Sequence, residues 1–237
     1  MKLKFQYGTR TIEFNLEYKK RKTVEISVKA PDIVIVKAPL GVEDEKIIEI
    51  VKKKADWIVK KLFLLNDVEN RPIKREYVNG ESFMYLGRNY PLEIVIDEKV
   101  RKPIVKLLNG KFYVTVKSKD GDIIKKAMEM WYREKTLEKA KEKVEYFQRY
   151  FNKTPTGIRV KEQKKRWASC TYRDELLFNY RCSMARSDAF DYIVVHEMCH
   201  LYHKNHSKDF WNLVSSILPD YKKRIDYLKK YGVRMDL

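Results

Sequence analysis

Asp191-Tyr192-Ile193-Val194-Val195-His196-Glu197-Met198-Cys199-His200-Leu201-Tyr202-His203-Lys204-Asn205-His206 holds all four histidines of the chain. Neither solvation nor core packing has a reason to gather them so. The lead-in Tyr192-Ile193-Val194-Val195 is almost wholly apolar, and Phe190, Ile193, Val194 and Leu201 supply buried positions. The stretch therefore predicts a buried helix, with Ser187 or Asp188 available to cap its N-terminus. On that helix His196 and His200 lie four apart, on one face about one turn from each other, close enough to share a metal ion. Glu197, one residue after the first imidazole, is placed to accept a proton from a metal-bound water, the general-base role in metal-assisted hydrolysis.

A third ligand must come from His203 or His206. On a continued helix His203 would rise about 10 Å beyond His196. Two nitrogens on one zinc at about 2.0–2.1 Å must approach within roughly 3.4 Å of each other, so three ligands along one straight helix reach badly. A chain that leaves the helix near His203 and turns at Lys204-Asn205, with Asn in the left-handed region, swings His206 back onto the metal, and reach favours His206. Three neutral imidazoles leave a fourth position for water, the pattern of a catalytic zinc, one ion per chain. Tyr202, His203 and Arg166 are candidate oxyanion or substrate donors. Asp191 or Asp209 could orient a ligand imidazole.

Downstream, Ser207 is a cap for a helix from Lys208 to about Leu218, whose Phe210, Trp211, Val214 and Ile217 face the metal site. A last amphipathic helix through Tyr221, Ile225 and Leu228 ends at Gly232. Upstream, Ile12, Phe14, Leu16 and Tyr18 alternate with polar residues, as do Val24, Ile26 and Val28, and Ile33-Val34-Ile35-Val36 follows Pro31. These predict a meander of short antiparallel strands. From Glu43 to about Leu65 the apolar period becomes helical. Strand character returns at Phe83–Leu86 and Leu92–Ile96, and Asn109-Gly110 between two apolar runs predicts a tight hairpin. A long helix follows Gly121 to about Phe151, then strands over Ile158–Gln163 and Glu175–Tyr180, the second offering an edge on which an extended substrate could pair. The fold class expected is α+β: a β-rich N-terminal part, residues 1–119, packed on a catalytic part, residues 120–237, with no internal repeat.

The chain has 51 Lys and Arg against 33 Asp and Glu, a formal charge of +18. That charge suits a nucleic-acid surface, yet the basic runs, such as Lys19–Lys22, Lys52–Lys54, Lys164–Arg166 and Lys222–Arg224, are scattered and lie in no nucleic-acid motif. Surface ion-pair networks would use the same composition. With 44% hydrophobic residues the chain can build a core, which excludes wholesale disorder. Three scattered cysteines give no disulfide framework and point to a reducing, cytoplasmic setting. No apolar stretch approaches the ~18 residues of a membrane span, and the opening residues have no signal-peptide core.

Several of these residues together resemble the YgjP-like metallopeptidases, relatives of the SprT-like zincins. The resemblance is carried by Arg166-Trp167-Ala168-Ser169-Cys170, Phe178-Asn179-Tyr180-Arg181, Asp191 to Leu201, Asn205-His206-Ser207 and Phe210-Trp211. It extends more weakly to Arg21-Lys22-Thr23-Val24, Ala38-Pro39 and Trp57-Ile58. The resemblance implies a zincin-like fold and a zinc-dependent peptidase of the HExxH type, with His196, His200 and His206 as ligands and Glu197 as catalytic carboxylate. Its substrates would be peptides or unfolded proteins. SprT-like relatives act on DNA-bound proteins, so a nucleic-acid-associated protease is an alternative, as is a zinc hydrolase of a non-peptide amide. The family usually has Gly where Ala168 stands, which would strain Ala if that position required a positive φ. The His196, His200, His206 spacing equals that of metzincins, but the only methionine after the helix is Met235.

Overall fold

The computed structural model describes residues 1–29, 33–66, 75–163 and 166–237, so Pro31 and the Lys164-Lys165 pair of one basic run lie outside the described residues. The chain forms two compact units, Met1–Ile73 and Lys74–Leu237. The boundary expected at 119 falls inside the second.

In the first unit, β1 (Lys2–Tyr7), β2 (Arg10–Lys19), β3 (Glu25–Lys29) and β4 (Ile33–Pro39) form one sheet in the order β1-β2-β4-β3. This is not the expected meander, because β2 and β4 run parallel, Leu16 opposite Val36. The reason lies in β4 itself. Ile33-Val34-Ile35-Val36 is the most continuously apolar of the four strands, and a central position gives it a ladder on both edges. Ile12, Phe14 and Leu16 alternate inward and meet Val34, Val36 and Ala38. The helix expected from Glu43 is two, α1 (Asp44–Lys52) and α2 (Ala55–Asn66). Between them the Lys54 N–H bonds the Val51 carbonyl three residues back, a tightened turn. Ile47, Val51, Ala55 and Ile58 nevertheless stay on one buried face and close the core over the sheet.

The second unit opens with β5 (Ser82–Tyr85), β6 (Arg88–Ile96), β7 (Ile104–Leu108) and β8 (Lys111–Val116), ordered β5-β6-β8-β7 with β6 parallel to β8. This is the strand order and direction of the first sheet over again, a repeat of topology that no sequence period announces. Asn109 and Gly110 close the β7–β8 hairpin with φ of 49° and 75°, the doubly positive turn that the dipeptide predicts. Asp120 caps α3 (Gly121–Phe147) by accepting from the Asp122 and Ile123 N–H groups. Phe83, Leu92, Phe112 and Val114 share one core with Ile124, Met128 and Tyr132 of α3 and with the helices that follow. That shared core is why no boundary falls at 119.

Beyond α3, β9 (Gly157–Val160), β10 (Ala168–Cys170) and β11 (Glu175–Phe178) form a small sheet in the order β10-β11-β9. The strand expected as a substrate edge, β11, is internal, and the edges are β10 and β9. Ala168 is not among the residues with positive φ, so Ala there carries no strain. The chain then runs through α4 (Ser187–Cys199), α5 (Lys208–Ile217) and α6 (Tyr221–Tyr231). Neither Ser187 nor Asp188 caps α4: the cap position is Arg186, and the Asp188 carboxylate takes its guanidinium at 2.6 Å. Ser207 does cap α5, its Oγ accepting from the Phe210 N–H. Among the described residues no helix is long and apolar enough to cross a membrane.

Candidate metal centre

The rigidity of the centre comes from α4. Ile193, Val194, Val195, Met198 and Cys199 are buried, so the helix is held all round and its two imidazoles have little freedom to lose. It ends earlier than the spacing suggests. Cys199 is the last helical residue, the N–H groups of His200, Leu201 and Tyr202 bond carbonyls three residues back, and Asn205 has no positive φ. The tightened exit, rather than a left-handed asparagine, returns the chain to the site.

His206 comes back to within 3.0 Å of His196, Nε2 to Nε2. One ligand atom each from His196, His200 and His206 lies within 4.8 Å of the others. His203 is not in the cluster. Its carbonyl is 2.8 Å from His200 Nδ1, which donates to it and leaves Nε2 as the free lone pair. Tyr192 places its hydroxyl 3.2 Å from His196 Nδ1. The imidazoles are thus oriented by a tyrosine and a carbonyl, not by Asp191 or Asp209. Asp191 is engaged elsewhere, with Lys143 at 2.5 Å and Arg224 at 3.8 Å.

Aromatic rings complete the bed. The buried Phe210 ring lies 4.9, 4.6 and 4.8 Å from the rings of His196, His200 and His206. Trp211 stacks on His206 and Tyr221 on Trp211, so the wall expected of α5 is present and Trp211 packs on an imidazole itself. Burial and the two neighbouring imidazoles push His196 down to about 3, which keeps it neutral with a lone pair to offer. Three imidazole nitrogens that close together are a donor set for a borderline cation such as zinc.

Glu197 is 5% exposed, and its Oε2 has no hydrogen-bond partner among the described residues. Desolvation pushes its carboxyl up to about 8, against a hydrogen bond from the Cys170 backbone and the nearby charge of Arg166. A buried polar atom with nothing to bond is costly unless something else arrives to meet it. Glu197, the imidazoles of His196, His200 and His206, β10 and Arg166 line one cleft of about 500 Å³. Tyr202 and His203 do not line it. The Tyr202 hydroxyl instead accepts the Lys153 N–H at 2.8 Å.

Asn179, fully buried, braces the cleft wall. It donates from Nδ2 to the carbonyls of Gln163 and Arg166, and its own N–H meets the Trp167 carbonyl at 2.7 Å. Residues 22–231 match the family model described as YgjP-like, metallopeptidase domain. The chain belongs to the YgjP-like metallopeptidase family. Membership implies a metal ion, and the histidine cluster is where the described residues could hold one. The crystal structure of the metallopeptidase zymogen of Pyrococcus abyssi abylysin is similar at 18% identity, over 41% of this chain and 99% of that one, with a TM-score of 0.37. No curated protein sequence matches the chain. Sequence reasoning missed Tyr192 and β10. Tyr192 sits four residues before His196, one helical turn away, and that spacing was the available signal.

Proposed function

We propose that this chain is a zinc-dependent peptidase in which His196, His200 and His206 hold one ion and Glu197 is the catalytic carboxylate. The observation that carries the reading is the unpartnered oxygen of Glu197, buried beside three convergent imidazoles. Zinc bound there would supply a Lewis acid and a water acidic enough to ionise near neutrality. Glu197 takes the proton of the attacking water and returns it to the leaving amine. His200 is held to one tautomer by the His203 carbonyl, and His196 is steadied by the Tyr192 hydroxyl. An extended peptide or unfolded-protein segment pairs with the outer edge of β10, which lines the cleft and hydrogen-bonds only β11 on its other side.

The test is cleavage of a mixture of peptides and unfolded proteins by the zinc-loaded chain, read by mass spectrometry beside Glu197→Gln. Cuts present in the parent and absent from the variant are expected. Identical silence from both, with zinc binding confirmed by titration, would overturn peptide hydrolysis as the reaction.

A further inference from the structure

We propose that Arg166 reads a carboxylate on the substrate close to the bond that is cut. The inference rests on the peptidase reading and adds to it a class of substrate: peptides with an acidic side chain, or a free C-terminus, near the scissile bond.

Among the described residues three charged side chains line the cleft: Arg166, Glu197 and Lys204. Glu197 is buried for the chemistry. Lys204 is already neutralised, its ammonium ion-paired with the Asp174 carboxylate. Arg166 differs from both. In the same part of the chain Arg159, Arg181, Arg186 and Arg224 each face a carboxylate, whereas Arg173 and Arg166 have no ion pair among the described residues, and of those two only Arg166 lines the cleft. The Arg166 guanidinium acts on Glu197 only through its charge, and among the described residues it makes no ion pair and donates no hydrogen bond. A guanidinium is a rigid planar fork that matches a carboxylate with two parallel hydrogen bonds.

Its base is fixed. Asn179 Nδ2 holds the Arg166 carbonyl at 3.2 Å, and the Trp167 carbonyl takes both the Asn179 N–H at 2.7 Å and the Cys182 thiol at 3.1 Å. Arg166 stands two residues before β10, and the Cys170 end of β10 adjoins Glu197. Arg166 stands four residues from Cys170, and a substrate extended along this edge advances about 3.3 Å per residue, so the fork falls within about four residues of the bond at Glu197. A cation with no ion pair among the described residues, on a braced backbone beside the cleft, is a group kept for something that arrives.

The test uses the full zinc-loaded chain in the non-cutting Glu197→Gln background, with binding of short peptides measured by calorimetry. One pair of peptides differs by Asp against Asn; a second pair has a free or an amidated C-terminus. In one of the pairs the acid should bind about tenfold more tightly than its amide. Arg166→Ala should bring that ratio to about one, Arg166→Lys should keep part of it, and Arg166→Glu should turn the preference towards Lys-bearing peptides. Which pair responds identifies the carboxylate as a side chain or a C-terminus. Equal binding within both pairs, or a preference that survives Arg166→Ala, would overturn the proposal. In the cutting enzyme a carboxylate-reading role raises KM for acidic peptides, whereas a part in oxyanion stabilisation lowers kcat for every substrate; the second pattern also counts against it. Cleavage with no acid preference would sink the Arg166 inference alone. A binding preference without any cleavage would sink the peptidase reading alone.

Discussion

At the scale of single residues, Glu197 sits where its environment and its chemistry disagree. Its folded carboxyl ionises at about 8 in the metal-free chain, against a reference of 4.5, because burial disfavours the charge. The unfolded chain releases that proton first, so the neutral carboxyl's contribution is complete below pH 4.5 and is lost as pH rises through 8. Glu197→Gln removes the titration and keeps the shape. In chelated protein the variant should therefore gain stability on the parent between pH 5 and pH 8, while His196, low in both proteins, cancels from the comparison. Thermal unfolding of the two at each pH checks this; a gap that does not move with pH would show that burial leaves the carboxyl unshifted. That His196, Glu197 and His200 would meet in one place was legible because histidine and glutamate at those spacings have few other uses, and the approach of His206 followed from reach. Tyr192 was not legible as a partner of His196, because a tyrosine on an apolar helix reads first as core.

Elements were legible where a local rule decides them and obscure where a distant contact does. The Asn109-Gly110 hairpin, the Ser207 cap and the long helix α3 all follow from residues within a few positions. The three-residue strand β10 has too little sequence to show a period, and its existence depends on pairing with β11. Gly232 shows the same division. It ends α6 as expected, but with φ −61° it is no left-handed cap, and its lack of a side chain answers a contact far away in sequence. A Cβ there would stand 2.7 Å from Cζ2 of Trp167, which lines the cleft. Gly232→Ala should therefore cost about 1–3 kcal/mol through overpacking and displace the indole. Chemical denaturation reads the first effect and tryptophan fluorescence the second; an unchanged midpoint together with an unchanged spectrum would mean that the helix end moves aside freely.

Across the whole molecule, the order of strands in a sheet is set by hydrogen bonds between segments far apart in sequence, so period and turn signals show that strands exist but not which neighbours they take. This is why β2 beside β4 and β6 beside β8, and the topology shared by the two four-stranded sheets, could not be read in advance. Nor could the boundary, since no linker composition marks it and only the membership of the two cores does. The cores share no residue: Phe5, Phe14, Val36 and Ile58 belong to one, Phe83, Phe178, Val194 and Phe210 to the other. Phe14 is 2% exposed and packs edge-on against Phe5, so Phe14→Ala should cost about 3–5 kcal/mol in the first core. Separate cores make separate cooperative units. Unfolding of the variant followed by circular dichroism should divide into two steps, the earlier one moved well below the parent's. Tryptophan fluorescence should report mainly the later step, since Trp131, Trp167 and Trp211 lie in the second unit and only Trp57 in the first. Zinc affinity should match the parent's, because every imidazole of the cluster belongs to the second unit. One transition shifted equally for both probes, with zinc affinity reduced alongside, would mean that the two cores stand or fall together.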